Sequence, residues 1–146
     1  MPNILVIHGP NLNMLGKRNQ NFYGSRSLED INNIIERKAN EIDFNVDIYQ
    51  FSSEGDIITK LNEAFNEYDG VIINAGAYTH YSIAIRDAIE ILKIPVIEVH
   101  LSNIYNRDEF RKKSVISPVC KGQISGFGYV SYLLALEAIK YLLQED

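Results

Sequence analysis

The chain has 146 residues, 46% of them hydrophobic and 23% charged, a balance that fits a soluble globular protein and excludes a largely disordered one. Fourteen basic against nineteen acidic groups leave a net charge of −5, with 6 basic and 11 acidic groups in residues 1–73 and 8 of each in residues 74–146. Neither half has the basic excess that draws nucleic acid or an anionic membrane, and the single Cys120 excludes both an internal disulfide and a CxxC metal site.

The elements alternate along the chain. Ile4 to Ile7 is a continuous apolar run, the pattern of a strand buried on both faces. Ser27 is placed to cap a helix with apolar positions Leu28, Ile31, Ile34, Ile35, Ala39 and Ile42, and Asp30 lies three residues on, as in a capping box. Val46 to Phe51 reads as the second strand. Ser53 precedes a helix with Ile57, Ile58, Leu61, Ala64 and Phe65 on its apolar side. Val71 to Ile73 is the third strand, and Ser82 opens a helix through Ile83, Ile85, Ala88, Ile89 and Leu92. Pro95 to Val99 is the fourth strand, with proline at its first position, where it is tolerated. One or two helical turns are expected over 107–112. A weaker fifth strand is expected over Ser114 to Cys120, interrupted by Pro118, and a final helix over Tyr129 to Leu143.

Five strands alternating with helices predict a single domain over 1–146: a five-stranded parallel sheet with helices on both faces. The expected order is 2-1-3-4-5, that of a flavodoxin-like three-layer sandwich. No apolar run approaches the ~20 residues of a membrane span. Met1-Pro2-Asn3 leads straight into the first strand without the basic flank of a signal peptide, so the cytoplasm is the expected location.

Sheets of this kind bind ligands beyond the carboxyl ends of their strands. Polar residues gather there. Gly9-Pro10-Asn11-Leu12-Asn13 follows strand 1, Ser52-Ser53-Glu54-Gly55 follows strand 2, and Asn74 to His80 follows strand 3. Glu98, His100, Ser102 and Asn103 lie at or after the end of strand 4, and His8 ends strand 1, so all three histidines fall at this edge. The opposite edge carries only turn residues. The irregular stretch Gly9 to Arg26 spans 18 residues. Compact domains seldom keep such a loop without a use, and a lid over an active site is a common one.

Several chemistries are weighed at this edge. A GxxxxGK[ST] phosphate loop is absent. The loop after strand 1 has no Ser or Thr before Ser25, which weakens a flavin-phosphate reading, and no acidic pair follows strand 1, as a phospho-receiver would require. Glu98 and His100 share a strand face at i, i+2, and His80 with His8 is able to complete a metal set, yet neither HxH nor HExxH occurs. The simpler reading is a carboxylate that orients an imidazole and raises its pKa. Tyr23 follows Arg18 by five residues. A phenol with pKa ~10 is only about 0.1% ionised at pH 7, so a tyrosine acting as base needs a nearby positive charge, and a guanidinium is the natural source.

Four blocks carry a family resemblance: Gly9-Pro10-Asn11-Leu12-Asn13-Met14-Leu15-Gly16-Lys17-Arg18 through Tyr23-Gly24; Asn74 to Ser82 with Ala84 to Ala88; Pro95 to Asn103 with Phe110-Arg111 and Ser114; and Gly122 to Gly128. In this order and at these spacings the chain strongly resembles type II 3-dehydroquinate dehydratases. The resemblance implies a cofactor-free, metal-free lyase that reversibly converts 3-dehydroquinate to 3-dehydroshikimate in the shikimate pathway, by anti elimination through an enolate. It implies Tyr23 as proton acceptor, Arg18 as stabiliser of its phenolate, His100 as proton donor supported by Glu98, and Asn11 holding a water on the enolate oxygen. Asn74, His80, Ser102 with the Leu101 backbone, and Arg111 would bind substrate, and Asp87 would reach a neighbouring subunit's site. A homododecamer built as a tetramer of trimers is implied as well. The chain departs from many members at Asn19-Gln20 in the lid, at Ala75 and at His8. The lid change leads us to expect a more loosely ordered lid.

Overall fold

A computed structural model describes residues 1–145. Five strands, β1 (Asn3–His8), β2 (Asn45–Gln50), β3 (Gly70–Asn74), β4 (Val96–His100) and β5 (Gly122–Ser125), form one parallel sheet in the order β2-β1-β3-β4-β5. The expected order is therefore the observed one. The helices are α1 (Gln20–Tyr23), α2 (Leu28–Glu41), α3 (Glu54–Glu67), α4 (Ile83–Ile91) and α5 (Val130–Gln144). None is long and apolar enough to cross a membrane.

Side-chain alternation along the central strands builds two cores. Ile4 and Val6 of β1, Ile72 of β3 and Ile97 and Val99 of β4 pack with Ile31 and Ile35 of α2 and Ala135, Leu136 and Ile139 of α5. Leu5, Ile7, Val71, Ile73 and Val96 pack with Ile57 and Leu61 of α3 and Ile85 and Ile89 of α4 on the other face. Double burial explains why β1 and β3 are unbroken apolar runs, whereas the edge strand β2 alternates between exposed and half-buried residues.

Serine caps start three helices. Ser27 accepts from the Asp30 amide, and Asp30 accepts from the Ser27 amide, completing a capping box. Ser53 caps α3 by accepting from the Asp56 amide. Ser82 caps α4 by accepting from Ile85 N at 3.0 Å, and donates to Glu54 at 2.6 Å, which ties α4 to α3. Each cap satisfies an amide that the helix itself cannot.

The fifth strand is a correction. Ser114 to Cys120 does not join the sheet; Ser117–Val119 is a 3-10 turn with Pro118 in its first turn. Proline has no amide hydrogen to give a ladder, and the hydroxyls of Ser114 and Ser117 are drawn to Glu98. The strand that pairs with β4 is Gly122–Ser125, in register from Ile97↔Gly122 to His100↔Ser125. Of the turns expected over 107–112, Glu109–Arg111 forms a 3-10 turn.

His8 ends β1 on the same face as Ile4 and Val6, fully buried. Burial pushes its pKa down from 6.5 to about 4, against the raising effect of its hydrogen bond with Asn32. Between those values the unfolded chain takes up a proton that the folded chain refuses, so stability falls as pH falls through this window. We predict that His8 removes about 2 kcal/mol of stability between pH 7 and pH 5. Urea unfolding of the parent and of His8→Gln at both pH values measures it, and the variant should lack that part of the pH dependence.

Candidate active site

The carboxyl ends of β1, β3 and β4 open into a small cleft of about 100 Å³. Its depth depends on a close approach of backbones. Gly9 donates to the Asn74 carbonyl at 2.7 Å, and a Cβ on Gly9 would stand 2.6 Å from the backbone of Ala75. Gly76 has φ +60, and a Cβ there would meet the Pro10 carbonyl at 3.0 Å. Asn11 is also left-handed, at φ 69, and opens the 3-10 turn Leu12–Met14. Asparagine tolerates this conformation better than most residues.

Nine of the residues singled out from the sequence line this cleft: Asn11, Arg18, Tyr23, Asn74, His80, His100, Leu101, Ser102 and Arg111. Glu98 lies behind His100, fully buried. Asp87 does not line it and is exposed on α4.

The His100 side is organised around Glu98. His100 Nε2 donates to Glu98 Oε2 at 2.5 Å, Thr79 Oγ1 donates at 3.1 Å, and Ser114 Oγ donates at 2.9 Å. The Ser117 hydroxyl donates to Oε1, and Gln123 Nε2 orients that hydroxyl from 2.7 Å. Burial works against the Glu98 charge, but the hydrogen bond and charge of His100, with the bonds from Ser117 and Ser114, hold its pKa below the usual carboxylate value. With Nε2 committed to Glu98, Nδ1 is the His100 atom left for a ligand. His80 hydrogen-bonds the Lys113 carbonyl through Nδ1 at 2.8 Å. Burial lowers its pKa, so its Nε2 is an acceptor at neutral pH. Arg111 Nε is buried and has no hydrogen-bond acceptor among the described residues, though Asp108 lies 3.6 Å away.

On the lid side, Tyr23 ends α1. The Arg18 guanidinium lies over its ring at 3.9 Å. The hydroxyl is instead contacted by Arg107, whose Nη1 donates to it at 2.6 Å and reaches Ser102 Oγ at 3.3 Å. Arg107 also stacks on Phe22 at 4.4 Å. Sequence reasoning missed Arg107: it stands alone between two short turns, and no periodicity or spacing marks it. Thr79 lies inside the block Asn74 to Ser82 and Ser117 inside the expected fifth strand, but neither pattern marks a hydroxyl as a partner of Glu98. The lid residues that set the chain apart take part in its local structure. The Asn19 side chain accepts from the Asn21 amide at 3.0 Å, and Gln20 Nε2 donates to the Gly16 carbonyl at 3.1 Å.

Strand alternation splits the histidines. His100 and Glu98 share a face of β4 with Val96, whereas His8 points into the opposite core, against Tyr132 and Asn32. His8 therefore cannot join Glu98, His100 and His80 in one ligand set. No group of three or more histidine, cysteine, aspartate or glutamate side chains among the described residues is placed to hold a metal ion.

A doubly wound sheet whose end sets a phenol beneath two guanidiniums, with a carboxylate-backed imidazole in the same cleft, defines an enzyme-like site suited to proton transfer. Comparison with known proteins narrows the class. The sequence profile of the family described as dehydroquinase class II matches residues 2–140. A 3-dehydroquinate dehydratase of Caldicellulosiruptor bescii is 58% identical over 144 residues, covering 98% of this chain and 99% of that one. Its namesake in Thermotoga petrophila is 54% identical over 142 residues, 97% of each chain. The crystal structure of the type II dehydroquinase from Butyrivibrio crossotus superposes with a TM-score of 0.94 at 48% identity, covering 95% of this chain and 97% of that one. The chain belongs to the class II dehydroquinase family.

The Gly9 contact is testable. Gly9→Ala should destabilise the protein by about 2 kcal/mol, because strand ends must part to admit the methyl group. Gly55→Ala, near the start of α3 where a Cβ meets only Ser53 Oγ at 3.6 Å, should be neutral or slightly stabilising. Thermal melts of the two variants make the comparison.

Proposed function

We propose that this chain, as one catalytic domain over 1–146 working in the cytoplasm, dehydrates 3-dehydroquinate to 3-dehydroshikimate in the shikimate pathway. The observation that carries the reading is the joint presence of Tyr23, under Arg18 and Arg107, and Glu98-backed His100 on one cleft. In this reading the Tyr23 phenolate takes a proton from the carbon beside the ketone. The C–H electrons form an enolate, whose oxygen is stabilised by a water held by Asn11. As the enolate collapses, a carbon–carbon double bond forms and the C–O bond breaks. His100, protonated on both nitrogens, gives its Nδ1 proton to the departing hydroxyl, and water leaves. Returning the Tyr23 proton to His100 closes the cycle.

The site chemistry supports these roles. A proton α to a carbonyl needs a base and a stabilised enolate, and Arg107 and Arg18 place positive charge where the phenolate carries its negative charge. Glu98 holds His100 through Nε2 and leaves Nδ1 free for the departing hydroxyl. Arg111 Nε, which has no hydrogen-bond partner among the described residues, neutral His80, Asn74, and Ser102 with the Leu101 backbone offer donors and acceptors to the substrate's hydroxyls and carboxylate. The balance of the reaction calls for no cofactor.

A homododecamer, a tetramer of trimers, belongs to the same reading. Ile83, Asp87 and Ile91 recur every four residues on α4, and all three are exposed, so one helix stripe presents two apolar side chains around a carboxylate. That stripe suits contact with a second copy, where Asp87 would meet a neighbouring cleft. Light scattering after gel filtration should give about 200 kDa for twelve 16.6 kDa chains; a monomer would remove Asp87 from the proposal.

The reaction itself is read from the near-ultraviolet absorbance of the conjugated enone product. Purified chain with 3-dehydroquinate and a chelator should produce it. Tyr23→Phe should lower kcat by at least about 10³-fold while still binding substrate. Near-normal turnover by this variant would exclude Tyr23 as the base, and no product from the folded parent would overturn the activity.

A further inference from the structure

Behind Asn74, on the side of the sheet away from Glu98, lies a closed line of hydrogen bonds that the proposed chemistry does not use. Asn74 Oδ1 accepts from the Gly76 amide at 3.2 Å, and its Nδ2 donates to the Tyr132 hydroxyl at 3.1 Å. Tyr132 Oη lies 2.9 Å from His8 Nδ1, and His8 Nε2 lies 2.8 Å from Asn32 Oδ1. Proton counting directs every bond. A hydroxyl has one hydrogen. Since Tyr132 accepts from Asn74, its own hydrogen goes to His8 Nδ1. That nitrogen must then be bare, so Nε2 carries the imidazole hydrogen and donates to Asn32, whose carbonyl oxygen accepts it.

We propose that His8 and Tyr132 are positioning residues for the cleft: neutral His8 holds the Tyr132 hydroxyl as an acceptor toward Asn74, and so fixes the Asn74 amide facing the substrate. Two anchors settle the amide. Gly76 N requires the oxygen on one side, and Tyr132 requires the nitrogen on the other. One N–H and one lone pair of Asn74 are left for a ligand, in directions set by the line behind them. Tyr132 is fully buried on α5, His8 is fully buried at the end of β1, and their rings meet edge-on at 5.1 Å, so neither has room to turn. The low proton affinity that burial gives His8 keeps Nδ1 available as an acceptor at neutral pH. The line joins helices α2 and α5 to the floor of the cleft.

This inference rests on the proposed reaction, and the experiment separates the two. Tyr132→Phe removes only the hydroxyl and keeps the ring in the core. It should raise KM for 3-dehydroquinate about tenfold, the scale of one lost hydrogen bond that orients a ligand contact, with kcat within about threefold. In an Asn74→Ala background the same change should alter KM by less than about twofold, because no amide remains to be oriented. Where turnover of that background is too slow, calorimetric binding of quinate, whose alcohol in place of the ketone cannot enolise, gives the same comparison. His8→Gln, which keeps an acceptor for Tyr132 and a donor for Asn32, should stay near the parent, whereas His8→Leu should match Tyr132→Phe.

Equal effects of Tyr132→Phe with and without Asn74 would show a general packing defect and overturn the inference, as would an unchanged KM in a folded Tyr132→Phe protein. Should His8→Leu fail to fold, the Tyr132→Phe cycle still decides. A parent that does not turn over 3-dehydroquinate overturns the proposed function itself, whereas an active parent with an additive cycle overturns only the positioning role.

Discussion

A carboxylate buried in a sheet costs several kcal/mol unless partners restore what water supplied, and Glu98 is such a group, with no exposed surface. Its partners come from separate stretches of chain. His100 is two residues along the same strand, Thr79 lies in the turn after β3, and Ser114 and Ser117 belong to the segment between β4 and β5. Satisfying one charge therefore arranges three segments around it. The segment holding Ser114 and Ser117 cannot be a strand while its hydroxyls serve Glu98, which leaves Gly122–Ser125 to take the sheet edge. Gln123 and Ser125 extend the network from that edge by orienting Ser117.

The opposite side of the cleft follows a different rule. Tyr23 is half-buried on a four-residue helix, a length that does not hold itself in water. Its position depends on guanidinium contacts, with Arg18 over the ring and Arg107 at the hydroxyl. The site thus combines a rigid half, built into strand ends and a buried ionic network, with a half held by two cationic side chains. Such a division suits a reaction whose substrate must enter and leave. His100 is held in place from behind by a buried carboxylate, while Tyr23 sits on a four-residue helix held by side-chain contacts.

Between these halves lies the floor, where β1 and β3 run so close that Gly9 has no room for a side chain. His8 pairs in register with Asn74, and both point to the α2/α5 face. Glu98 and His100, one strand further on, point to the α3/α4 face. Parallel strands with two-residue alternation thus supply the cleft from both layers of the sandwich, and the polar groups of one layer do not mix with those of the other.

Much of this was legible in the chain. β1 to β4 and the serine caps at 27, 53 and 82 follow from local physics: apolar runs for doubly buried strands and a hydroxyl where a helix begins. The gathering of histidines and amides at one edge followed from the alternating pattern, and the family blocks named nine residues that share the cleft. Tertiary structure decided the rest. β5 escaped because Gly-Gln-Ile-Ser has little strand character of its own, and becomes a strand only where β4 offers an open edge. Arg107 escaped because its significance is a contact 84 residues away in sequence. The separation of His8 from the other histidines is set by which face a strand end presents once the sheet has formed. Local pattern determines elements, whereas the partners of a buried charge or a lone arginine exist only after distant segments have been brought together.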